Sequence, residues 1–140
     1  MMQRVKKLAN EIFIEGLSGM ATGLFATLII GTIIQQIGGL IPGSIGEMLF
    51  VIGKVAASVT GVGIGCGVAV RFKESSLVIM SAATCGMMGA FASKILAGSV
   101  LVDGNIVYAG PGEPLGAFIA ALAGIYMGRL VSGKTKVDII

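Results

Sequence analysis

The chain has 140 residues, of which 55% are hydrophobic and only 12% are charged, whereas ordinary soluble domains have about 25% charged residues. So few charges cannot cover a water-exposed surface, which indicates an integral membrane protein. The net charge of +3 comes from basic residues scattered between apolar blocks, and this argues against nucleic-acid binding. Histidine is absent, which removes the commonest general base and metal ligand, so we expect no catalytic residue, metal or cofactor in this chain.

The N-terminal region predicts a surface helix followed by a membrane span. Its first fifteen residues set apolar positions against charged ones at helical spacing, which is typical of a short helix lying on the membrane surface. Residues 16–37 contain no charge, and this uncharged run suffices to cross a hydrocarbon core of about 30 Å. No Ala-x-Ala cleavage site precedes it, which favours a retained anchor over a removed signal peptide.

Three further apolar segments predict an all-α domain of about four transmembrane helices over residues 1–140. The second span covers 48–70 and is interrupted only by Lys54, the third covers 77–97, and the fourth covers 115–131. A turn-forming Asp-Gly pair between the third and fourth spans predicts a small outer hairpin near 101–108.

The basic residues of the short loops all fall on one side of the predicted spans, and the opposite loops carry none. They are Arg4, Lys6, Lys7, Arg71, Lys73, Arg129, Lys134 and Lys136. Because positive charge concentrates in cytoplasmic loops, this distribution places both ends of a multi-pass protein in the cytoplasm. The loops with Glu47, Asp103 and Glu113 then face outward.

Small residues recur every four positions in all four spans, a spacing that lets helix backbones approach closely in lipid. The positions that we assign to helix packing are Gly19, Gly23, Gly61, Gly65, Gly89, Gly124 and Gly128. Four such helices offer little area to enclose a ligand, so we expect their small faces to find partners in a homo-oligomer.

Two charged residues are candidates for substrate binding, and each has a simpler alternative. Lys54 lies about 10 Å from the outer end of its span, where it either snorkels to the surface or faces a polar cavity. Glu113 precedes Pro114 in a segment that cannot continue a helix from either side. Its carboxylate either stabilises the start of the next helix or accepts hydrogen bonds from a polar ligand in a re-entrant loop.

Three segments resemble the membrane IIC components of the bacterial phosphoenolpyruvate-dependent sugar phosphotransferase system, in the branch also described as toxin-regulator-like. The first, Gly110-Pro111-Gly112-Glu113-Pro114-Leu115-Gly116, is similar to the Gly-x-x-Glu-Pro loop of those proteins. The others are Gly16-Leu17-Ser18-Gly19-Met20-Ala21-Thr22-Gly23-Leu24-Phe25-Ala26-Thr27 and Gly128-Arg129-Leu130-Val131-Ser132-Gly133-Lys134-Thr135-Lys136-Val137-Asp138. Members of that family are longer, and the chain resembles their N-terminal part.

The resemblance implies a permease, or part of one, that carries a sugar across the bacterial inner membrane while cytoplasmic IIA and IIB partners supply the phosphoryl group. It also implies that Glu113 contacts sugar hydroxyls, and that the chain is at most the membrane subunit of a sugar phosphotransferase. Two other functions remain open from the residues themselves. One is a membrane-bound regulator that senses a solute, and the other is a small oligomeric, glycine-rich pore.

Overall fold

A computed structural model describes residues 2–106 and 112–131. Its elements are α1 (Met2–Leu40), α2 (Ser44–Ser58), α3 (Thr60–Arg71), α4 (Ser76–Ala90), α5 (Ala92–Leu96), β1 (Leu101–Val102), β2 (Asn105–Ile106) and α6 (Pro114–Val131). The predicted all-α class is confirmed.

Helix α1 runs unbroken for 39 residues and contains two π-helical segments, Glu11–Gly16 and Phe25–Ile29. The helix expected at the N-terminus is present, but it continues directly into the first span and is not a separate surface element. No proline interrupts this stretch. In addition, Glu11 and Glu15 form ion pairs with the other helices, which hold this part of α1 in line with the rest.

About four spans are predicted, and by length and composition two or three of the described helices could cross a membrane, while α4 is a shorter apolar helix. Among the described residues, α1 and α6 are long and apolar enough, and α2 with α3 adds a third if this pair, bent by 43°, counts as one span. The segment predicted at 77–97 is divided, because α4 ends after 15 residues and the backbone breaks at Phe91. At this break the Ala90 carbonyl accepts the N–H of Glu113, a residue of a later element, at 2.8 Å.

Helix α3 packs against α1, α4 and α6 and is the central helix of this group, which we call the inner bundle. Its Ile64 and Val68 side chains are fully buried. Helix α3 runs antiparallel to α1 and to α4, and these pairs meet at glycines, as is typical of membrane helices. A Cβ atom added to Gly23 would lie 2.0 Å from the Gly63 carbonyl oxygen, and one added to Gly65 would lie 2.1 Å from that of Ala82. These close approaches lie within one chain, so a second copy is not needed to fill them.

Beyond the inner bundle, the last part of α1 (Ile30–Leu40) and the whole of α2 form a two-helix hairpin that we call the outer arm. Its helices pack against each other through Gly31 against Gly53 and through Gly38 against Gly46. The inner bundle consists of the preceding part of α1 with α3, α4 and α6.

The predicted hairpin after α5 is confirmed for the described residues. Leu101 pairs with Ile106 and Val102 with Asn105 in an antiparallel register. Asp103 and Gly104 both have positive φ, 50° and 79°, which is the backbone of the two-residue turn that Asp-Gly favours. Residues 107 and 108 of the prediction lie outside the described residues.

Candidate functional site

Glu113 lies at the junction between α6 and the end of α4. Its N–H donates to the Ala90 carbonyl, and its own carbonyl accepts the Ala117 N–H at 3.1 Å, so it is the residue from which α6 begins. The preceding Gly112 has φ of 74° and leaves no room for a Cβ, which would lie 2.5 Å from the Ala90 oxygen. The backbone therefore holds Glu113 firmly against the break that follows α4.

The Glu113 side chain is exposed within the chain and meets one hydroxyl. Ser93 Oγ, on α5, donates to Glu113 Oε1 at 3.1 Å. An ionised carboxylate has about four acceptor positions, so this bond leaves capacity for further donors. The break at Phe91 turns α5 so that Ser93 comes beside Glu113, twenty residues away in sequence.

Contacts between helices locate this site near the middle of the uncharged run of α1. Gly61 of α3 contacts Ala90, and Gly63, half a turn away, contacts Thr27. Ala90, and with it Glu113, therefore lies near the height of Thr27. At about 1.5 Å per residue this is roughly 15 Å from either end of the run. An ionisable group at such a depth is tolerated where it faces protein or a water-filled space and not lipid tails.

Lys54 lies on the outer arm, exposed, with its Nζ 5.5 Å from the centroid of the Phe50 ring. This is a cation–π distance. No contact joins Lys54 and Glu113 among the described residues, so the structure does not bring the two sequence candidates into one pair.

A second polar cluster lies at the opposite end of the inner bundle. Arg129 pairs with Glu11 and with Glu74, each at 2.6 Å, and Tyr126 Oη donates to Glu11 at 3.2 Å. The Arg129 guanidinium also lies 5.4 Å from the centroid of the Phe72 ring. We call this group the arginine cluster.

The arginine cluster joins the start of α1, the α3–α4 loop and the end of α6, while Glu15 and Arg71 form a further ion pair beside it. The hydrogen bond from Arg129 lowers the pKa of Glu11, which lies before the uncharged run. The segments predicted to share one side of the membrane thus meet at one end of the protein.

Comparison with known proteins decides the family. A family model described as phosphotransferase system, EIIC, matches residues 14–140. This chain belongs to the phosphotransferase-system EIIC family. A search of curated proteins and a search of solved structures each found no match. As an EIIC chain, it is a membrane component of a sugar permease, and the family implies a sugar substrate and association with IIA and IIB components.

Within this EIIC chain, Glu113 and Pro114 of the Gly-x-x-Glu-Pro segment are described, whereas Gly110 and Pro111 lie outside the described residues. The glycines assigned to helix packing all lie against neighbouring helices. The last of them in the sequence, Gly128, faces the Val78 side chain. Sequence reasoning did not select Ser93 as a partner of Glu113. No local sequence pattern links the two residues, because their contact depends on the break at Phe91.

Proposed function

We propose that Glu113 and Ser93 form part of the sugar-binding site of this EIIC permease component. The observation that supports the proposal is the position of the Glu113 carboxylate. It lies at mid-depth of an uncharged span, at a helix break, with acceptor capacity beyond the Ser93 hydroxyl. Sugar hydroxyls are donors of the kind that such a carboxylate accepts, and the role is binding and orientation, not proton transfer.

The test is Glu113→Gln, with sugar binding measured by calorimetry against a panel of hexoses, hexitols and disaccharides. Loss of charge-assisted hydrogen bonds should weaken binding by roughly ten- to hundredfold without loss of the fold. If Glu113 only stabilises the start of α6, the same variant should lose about 0.3–1 kcal/mol of stability and keep its affinity.

A matched control is Glu47→Gln, since Glu47 lies in the first turn of α2, also after a loop. This change should leave sugar affinity unaltered. Equal affinity for the parent protein and Glu113→Gln, with a small drop in melting temperature, would contradict the sugar-site proposal and leave Glu113 as a helix-start residue.

We also propose that Lys54 faces a polar space and not lipid, because a lysine within a span is costly where its ammonium group faces lipid tails. Lys54→Met should then reduce sugar binding or uptake. If Lys54 merely snorkels to the outer surface, this substitution should leave both unchanged.

We further propose that the end with the arginine cluster faces the cytoplasm of a bacterial inner membrane, where IIA and IIB components would act. The support is the excess of lysine and arginine in the segments that meet there. Homo-oligomerisation stays a prediction that rests on the family resemblance, because the Gly61 and Gly65 faces are filled within the chain.

A further inference from the structure

Three helix irregularities lie near the junction between the outer arm and the inner bundle. α1 contains the π-helical segment Phe25–Ile29, where the Thr27 hydroxyl donates to the Gly23 carbonyl at 2.8 Å. α2 and α3 meet at Val59 with a bend of 43°. α4 is separated from α5 at Phe91. π-Helical segments and interrupted helices are the usual positions of bending in membrane helices.

These irregularities lie at one height. Ala57, two residues before the bend, contacts Gly31, which lies two residues after the end of the π-helical segment of α1. Gly61, two residues after the bend, contacts Ala90, the last residue of α4. We call the level that they share the break level.

The backbone groups freed at the bend are satisfied by side chains on either side of it. Ser58 Oγ donates to the Val55 carbonyl and Thr60 Oγ1 donates to the Ala57 carbonyl, both at 2.6 Å. In an unbroken α-helix these carbonyls would accept from backbone N–H groups. Since hydrocarbon offers no water to replace those donors, the two buried hydroxyls make the bend stable without straightening the helix.

The units above and below the break level are packed separately. The outer arm makes its extensive contacts within itself, whereas the inner bundle is packed around α3. Many large apolar side chains of the arm are exposed, among them Ile33, Ile37, Met48, Val51 and Val55. The chain crosses from one unit to the other along α1 and along α2–α3, and both crossings are irregular at the break level.

We propose that the outer arm pivots as a rigid unit about the break level. The two hinge segments are the π-helical turn Phe25–Ile29 in α1 and the Ser58–Thr60 bend between α2 and α3. Bending is favoured at these places, because π-helical hydrogen bonds and side-chain donors already replace the regular α-helical ones there. Such motion would change the distance between the outer arm and Glu113. That consequence rests on the proposed sugar site, whereas the pivoting itself does not.

The experiment measures distances between pairs of spin labels in lipid nanodiscs without sugar, after Cys66→Ala and Cys85→Ala. One pair, Gly39→Cys with Leu130→Cys, joins the arm to the far end of the inner bundle. The control pair, Leu115→Cys with Leu130→Cys, lies within α6. The arm pair should give a distance distribution at least about twice as broad as the control pair, or two separate peaks.

A second variant tests the bend directly. Ser58→Ala with Thr60→Val removes the side-chain donors to the Val55 and Ala57 carbonyls, which favours a straighter helix in which backbone N–H groups take their place. The distance distribution of the arm pair should then become narrower and its mean should shift, while the distribution of the control pair should stay unchanged. An arm distribution as narrow as the control in the parent protein, or one that the double variant leaves unaltered, would overturn the proposal. Neither result would bear on sugar binding by Glu113.

Discussion

Arg129 shows what single residues contribute to this fold. The sequence predicts a basic residue near the end of the last span, but not its partners, because Glu11 is 118 positions away and Glu74 is 55 positions away. Glu113 was found from its motif, whereas Ser93 was not, because only the break at Phe91 brings it close. Local patterns therefore identified the charged residues, and the tertiary structure determined their pairs.

We predict that Glu11→Gln destabilises the protein by about 1 kcal/mol at neutral pH. The Arg129 and Glu11 side chains are 34% and 28% exposed, so the ion pair is partly screened and stabilises less than a buried one. Thermal unfolding in detergent measures the effect. The control Glu47→Gln should shift the midpoint less.

The ionisation of Glu11 also makes the stability of the protein depend on pH. The folded pKa of Glu11 is lowered, so its stabilising contribution is complete above the usual glutamate pKa of about 4.3 and is lost as the pH falls through the folded value. The stability difference between the parent protein and Glu11→Gln should therefore shrink on acidification. A difference that stays constant from neutral pH to pH 3 would show that the Glu11 charge is not the cause.

Helices illustrate where sequence patterns succeed and where they fail. The uncharged run of α1, the apolar segment of α6 and the Asp-Gly hairpin follow from composition and spacing alone. The break after Ala90 does not, because it lies where the Ala90 carbonyl meets the N–H of Glu113, a residue of a later element. The continuity of α1 through Glu11–Gly16 was missed for a similar reason, since ion pairs with α3 and α6 hold it in line.

We predict opposite effects for two glycine substitutions at the scale of helix packing. Gly65→Ala places a Cβ 2.1 Å from the Ala82 oxygen, so α3 and α4 must separate, at a cost of about 1–3 kcal/mol. Gly39→Ala meets nothing within 4 Å and should be neutral or slightly stabilising, because alanine favours the helix. Thermal unfolding of both variants decides the matter, and equal destabilisation would remove the packing argument.

At the scale of the whole molecule, ion pairs among the described residues bring together the start of α1, the end of α3 with the following loop, and the end of α6, which are segments that the predicted topology assigns to one side. The number of spans was harder to predict. Hydropathy recognises apolar runs, but it does not show that α4 stops after 15 residues while the chain continues as α5.

We predict that Ser75 is cytoplasmic and Asn105 is external. In a background of Cys66→Ala and Cys85→Ala, Asn105→Cys should react with a membrane-impermeant thiol reagent in intact cells. Ser75→Cys should react only after permeabilisation. Ser75 is chosen because its neighbour Glu74 is held by Arg129. Comparable labelling of both cysteines in intact cells would show that the topology is wrong.

The lengths of α4 and α6 bear on how much of the bilayer these helices cover. At about 1.5 Å per residue, α4 with 15 residues and α6 with 18 residues are about 22 and 27 Å long, whereas the uncharged run of α1 is about 33 Å long. Because α4 ends and α6 begins at the level of Glu113, near the middle of that run, these two helices cover one half of a bilayer of about 30 Å and not the other. If the proposed site is correct, a solute that enters from the half not covered by α4 and α6 would travel roughly half the bilayer thickness to reach Glu113.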